Sequence, residues 1–179
     1  PWEQGPGYAA GRTRALLMFD ISTYPQTYIP SHATLTLTIG SFHLHRDMQI
    51  QIYKCLKPFT TAADCSEYDG VNGWYEFMMK AGYDYEATML DMVTVSIADT
   101  AVGSKVSFDI SSAIVSAIEA GDKSVGFMLK LDESRYTSAA TDNEFIRFYQ
   151  YGIGNSPSVP YDGNHITDLP TLTIDESVG

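Results

Sequence analysis

The sequence predicts an all-β fold: a jelly-roll β-sandwich of antiparallel strands with one short helix. Three observations point there. Several short segments alternate apolar and polar residues with period two, as strands do when one face meets a core and the other meets water. Glycine, proline and aspartate cluster between these segments, where turns require them. A single segment, 111–120, carries an apolar stripe of helical period.

The first strand is RTRALLMFDIS, residues 12–22, which ends on Asp20 and enters a Ser-containing turn. It has core-like character and needs neighbours, yet PWEQGPGYAAG before it shows no alternation. Residues 1–11 are therefore expected to form an irregular arm and 12–176 a single sandwich domain. ATLTLTIG at 33–40 sets Ala33, Leu35, Leu37 and Ile39 against Thr34, Thr36 and Thr38, a half-buried strand with a wet threonine face. The parity then flips to Phe42 and Leu44, which predicts a bulge at Gly40-Ser41. HRD at 45–47 turns the chain into MQIQIYK, with Met48, Ile50 and Ile52 inward.

Residues 55–91 have weak periodicity and read as a long connection. MVTVSIAD at 92–99 places Val93, Val95 and Ile97 on one face, and KVSFDI at 105–110 is a further short strand. Ser111 or Ser112 is the expected cap of the helix, Ile114, Ala117 and Ile118 its apolar stripe, and Gly121 its end. SVGFMLKL at 124–131, EFIRFYQY at 144–151 and LPTLTID at 169–175 supply the remaining strands.

At 179 residues and 44% hydrophobic content the chain can bury a real core. A formal charge of −11 repels phosphate backbones and anionic lipids, which argues against nucleic-acid and membrane-surface partners. No apolar run approaches the roughly 20 residues of a membrane span. The sequence opens on Pro1 without a signal-peptide pattern, so it is expected to be processed or trimmed. The two cysteines, Cys55 and Cys65, are too few for a zinc tetrahedron by themselves. They are expected to form a disulfide in an oxidising compartment, closing a short loop and contributing roughly 2–3 kcal/mol. The alternative is two free thiols.

In order along the chain, RALLMFDIS, an Ile29-Pro30 turn, ATLTLTI and IQIYK are followed by YDGVNGWYEFMMKAGYDY, VSFDIS, GFML and PTLTI. This series resembles the DNRLRE domain family, also met as a disaggregatase-related repeat and as a carbohydrate-binding module. The resemblance spans about residues 12–175 and implies a jelly roll without catalytic machinery. The chain departs from the family in two ways. Pro58-Phe59 stands where a Trp is common, and no strand ending in an Asn-Tyr-Gly turn precedes RALLMFDIS.

No G-x-S-x-G, H-E-x-x-H or phosphate-binding glycine loop is present, and the protein is expected not to be an enzyme or to require a cofactor. His43 and His45 share one strand face, a spacing that can bind metal, and are read as a solvated pair. Tyr68, Trp74, Tyr75, Tyr83 and Tyr85 are candidates for a glycan platform; the competing reading is that the loop packs its own aromatics. Asp132, Glu133, Asp162 and Asp168 are candidate ligands of a structural calcium.

An absent strand leaves a sheet edge that must be covered or filled. Donation by a neighbour is head-to-tail and builds a filament. Pro1, Trp2, Ile174 and Val178 are the candidate assembly residues. Two functions follow as expectations: an extracellular or cell-surface structural subunit that associates into a homopolymer, or a polysaccharide-binding module of a larger secreted protein.

Overall fold

Period-two alternation in the sequence becomes paired strands in space. The computed structural model describes residues 14–64, 66–76, 79–132, 145–148 and 169–176. Along the chain these form β1 (Arg14–Asp20), β2 (Pro30–His43), β3 (Met48–Lys54), β4 (Asp91–Val95), β5 (Lys105–Asp109), α1 (Ser111–Ala120), β6 (Ser124–Leu131), β7 (Phe145–Phe148) and β8 (Thr171–Glu176). The strands make two antiparallel sheets. Sheet A has the order β1-β6-β3-β4; in sheet B, β5 and β7 flank β2, and β8 also pairs with β2. The fold is an all-β sandwich with one short helix.

Register places the apolar residues in facing rows. In sheet A, Leu17 lies opposite Phe127 and Ile52 opposite Leu129. In sheet B, Leu35 lies between Phe108 on β5 and Leu172 on β8. These rows and the Ile114 and Ile118 face of α1 form the main core. Thr34 and Thr36 are half-buried on the outer face, where the Thr36 and Ser107 hydroxyls meet at 3.0 Å, but Thr38 is 2% exposed, which corrects the expected wet face at that residue.

The bulge predicted at Gly40-Ser41 is present: register shifts between Ile39 and Ser41, where β2 passes to β7. It bends one long strand rather than separating two, and β2 also starts earlier than the alternation indicated, at Pro30. β4 stops at Val95, so Ile97 is 45% exposed instead of inward. Its N–H is taken by Asp47 Oδ1 at 2.9 Å.

The helix is not capped by a serine side chain. Ile110 is its N-cap, and the Ser111 hydroxyl instead donates to Asp109 at 2.6 Å. Gly121 ends it as expected, at φ +75°. Its N–H reaches Ile118 O and that of Asp122 reaches Ala117 O, each at 2.9 Å, the paired bonds of a left-handed helix terminus.

The sheets differ in width. Sheet A has four columns of strands. Among the described residues sheet B has three, because β7 and β8 pair with successive stretches of the same edge of β2. β4 and β5 meet at one side, where the Asp109 N–H donates to Asp91 Oδ2 at 2.8 Å. Counting columns from there, β1 faces no described strand of sheet B. Its inward residues Leu17 and Phe19 are half-buried, whereas Phe127 on the adjacent β6 is fully buried. Residues 1–13, including Pro1 and Trp2, lie outside the described residues, as does Val178, so the expected arm is not described.

Candidate functional site

The long connection after β3 lies on the outer face of sheet A. Outward-facing Tyr53 and Met128 meet Cys55, Phe59, Trp74, Met79 and Tyr85 in a second apolar cluster. Gly126 allows the approach: a Cβ there would stand 2.7 Å from Phe59 Cε1, closer than real contacts permit.

Three aspartates shape the connection. Asp64 Oδ1 accepts the N–H of Ser66 at 2.7 Å and of Glu67 at 2.8 Å. Asp69 Oδ1 accepts those of Val71 and Asn72 at 3.0 and 2.7 Å. These are Asx turns, which aspartate makes readily. They hold both carboxyls below their ordinary range, chiefly through the N–H groups of Ser66 and Asn72.

Asp84 has no solvent-exposed side-chain surface. It accepts the N–H of Tyr75 at 2.9 Å and of Lys80 at 2.7 Å, and pairs with Lys57 Nζ at 2.9 Å. Burial pushes its carboxyl up, but the Lys57 hydrogen bond, the two N–H groups and the Lys57 charge outweigh it, so the result is a lowered value. Met79 beside it has φ +70°, an uncommon conformation for a non-glycine residue. The Met79 carbonyl accepts from Arg14 Nη1 at 2.9 Å.

The five aromatics proposed for sugar contact divide into two groups. Trp74 and Tyr85 are buried, and Trp74 Nε1 donates to the Asp64 carbonyl at 2.8 Å. Tyr68 packs against Trp74 with ring centroids 5.4 Å apart. These three form the loop's own core. Tyr75 and Tyr83 are 54% and 50% exposed. Their rings stack at 4.0 Å and 23°, beside the Lys80–Glu76 ion pair of 2.7 Å.

The disulfide expectation is corrected. Cys55 is a free, buried thiol; Cys65 lies outside the described residues. The Cys55 side chain belongs to the second apolar cluster, where it packs as a small hydrophobic group. Of the calcium candidates only Asp132 is described, its N–H continuing the sheet to the Gln49 carbonyl at 2.9 Å; Glu133, Asp162 and Asp168 lie outside. Among the described residues no three His, Cys, Asp or Glu side chains converge as a metal site. Ile174, the described assembly candidate, lies opposite Ala33 in the β2–β8 pair.

One grouping escaped the sequence reading because its members are distant in the chain. Ser111 Oγ lies 3.2 Å from His32 Nδ1 and 2.6 Å from Asp109 Oδ1. The residue types are those of a hydrolase triad, but the geometry is not. Asp109 sits on the serine rather than on the far nitrogen of the imidazole. The serine oxygen accepts the Ala33 N–H at 2.9 Å. The group clasps the start of α1 to β2. Asp84 was also missed as a hub: it is one acidic residue in an aromatic loop, and local sequence carries no sign of its burial.

Two open clefts are formed among the described residues. One of about 450 Å³ is lined by Tyr24, Gln26, Gly121 and Lys123 among others, and one of about 260 Å³ by Met18, Lys54, Leu56 and Lys123 among others. Neither is lined by the Tyr75–Tyr83 stack. No helix among the described residues is long and apolar enough to cross a membrane. No protein-family model matches the chain, and no curated protein matches it.

Proposed function

We propose that the protein is a non-catalytic, extracellular structural subunit that forms a fibre or surface assembly by strand addition between neighbouring protomers. The unequal width of the two sheets among the described residues carries this reading. A strand placed beside β7 and β8 would cover Leu17 and Phe19, which are half-buried on β1. Such covering removes apolar surface at about 25 cal/mol per Å² and supplies hydrogen-bond partners along the outer edge of β7 and β8. The resemblance to the DNRLRE family is compatible with it, since that resemblance implies a jelly roll without catalytic machinery. The use of Asp64, Asp69 and Asp84 to hold turns fits a structural role for these carboxylates.

Electron microscopy of the protein from its natural source tests this. Regular filaments or layers, with density beside β8 contributed by an adjacent protomer, are expected. Isolated particles at all concentrations would refute it.

A second reading is favoured by the exposed Tyr75–Tyr83 stack. Aromatic faces suit sugar rings, and the Lys80–Glu76 pair supplies a donor and an acceptor for hydroxyls. A polysaccharide-binding module would lose glycan retention in Tyr75→Ala and remain monomeric.

A further inference from the structure

His43 ends β2, and His45 follows it beyond one intervening residue. Leu44 between them is 8% exposed and belongs to the main core, so both imidazoles are directed to the outside, where both residues are exposed. Their ring centroids are 4.7 Å apart, with ring planes at 85°. Two imidazoles that share a metal through Zn–N bonds of about 2.0–2.1 Å place their centroids roughly 4.5–5.2 Å apart for ligand angles between square and tetrahedral. The observed separation falls inside that interval.

We propose that His43 and His45 form a two-imidazole binding site for a divalent transition-metal ion. Among the described residues no third His, Cys, Asp or Glu joins the pair as a metal group. The backbone holds the pair in place. β2 pairs with β7 in a register that sets His43 opposite Phe145, and the Phe145 ring lies 6.1 Å from that of His43 at 28°. Among the described residues, the charged neighbours in register or sequence include Arg147, over Phe145 at 4.5 Å, the adjacent Arg46, and Asp47, whose Oδ1 accepts the Ile97 N–H at 2.9 Å. Imidazole favours zinc, copper and nickel over magnesium and calcium, and the net charge of −11 raises the local concentration of any cation.

The test is a Zn²⁺ titration of the full chain by calorimetry in excess Mg²⁺, with Cu²⁺ electron paramagnetic resonance to count coordinating nitrogens. One site per chain and a two-nitrogen signal are expected. His43→Gln and His45→Gln should each weaken binding at least about tenfold, since even loss of an outer-shell partner costs roughly 10–100-fold. Both side chains are exposed, so circular dichroism should show both variants folded. His32→Gln should bind as the parent does. Absence of binding at millimolar Zn²⁺, or undiminished binding in both variants, overturns the proposal and leaves the two rings as an edge-to-face contact. Loss of the site in His32→Gln alone would place it elsewhere and also refute it.

Discussion

The Asp84 carboxylate, closed to solvent, lies 2.9 Å from the Lys57 ammonium. Lys57 stands near the start of the long loop and Asp84 near its end, so this pair ties the two together. The same carboxylate holds the N–H groups of Tyr75 and Lys80, which carry the exposed aromatic stack.

Asp84→Ala should therefore destabilise more than its small volume suggests. It leaves a partly buried ammonium and two N–H groups unmatched, and breaking a buried pair costs about 3–5 kcal/mol. Urea unfolding should show that loss. An unchanged midpoint would mean the loop does not depend on the pair.

Acid should loosen this loop and the clasp at the start of α1. The carboxyls of Asp64, Asp69, Asp84 and Asp109 are all lowered in the folded state. Their contributions are present above the unfolded carboxylate range, near pH 4. They are lost as pH falls through the lower folded values. Stability should thus be level from about pH 5 to about pH 8 and decline below about pH 4, and thermal melts across this range test it. A rise in stability on acidification would contradict the direction of these shifts.

Trp74 and Tyr75 are adjacent in sequence but should behave oppositely. Trp74→Ala removes the centre of the second cluster and should cost about 3–5 kcal/mol, read by chemical denaturation. Tyr75→Ala removes a half-exposed ring and should cost well under that. Equal costs would place both rings in one core.

Cys55 should be inert. Burial first, and the Asp84 charge second, push its thiol up to about 12, and the thiolate is the reactive form. Mass spectrometry after alkylation at pH 8 should find Cys55 unmodified in the native protein and modified in urea. Rapid native labelling would show the cluster opening.

Gly126→Ala should separate the loop from the sheet. The new methyl would meet Phe59 Cε1 at 2.7 Å and Cys55 Cβ at 3.3 Å. Overpacking of this kind costs about 1–3 kcal/mol, and a lowered melting temperature is the expected result.

The strands were legible because each depends on a local pattern. Ala33, Leu35, Leu37 and Ile39 announce their face by parity, and the flip at Gly40-Ser41 announces the bulge. Gly121 likewise marks the helix end through its own backbone freedom. What failed to show depends on distant partners. Ser111 looked like a cap, but the Asp109 side chain accepts its hydroxyl hydrogen and the Ala33 N–H fills its lone pair. Cys55 suggested a bridge, yet its surroundings are an apolar cluster drawn from three parts of the chain. Sorting Trp74 from Tyr75 likewise needed the folded loop.

β2 and β8 join positions far apart in the chain: the Ser31 hydroxyl reaches the Asp175 and Glu176 carbonyls across 144 and 145 positions. Closing so long a loop is unfavourable until the strands zip together, so this pairing slows folding. During synthesis, Leu35 must wait until the residues between it and Leu172 have been made. The growing polypeptide thus holds that edge of β2 open over the intervening stretch, and any helper that keeps it from premature pairing would have to shield β2.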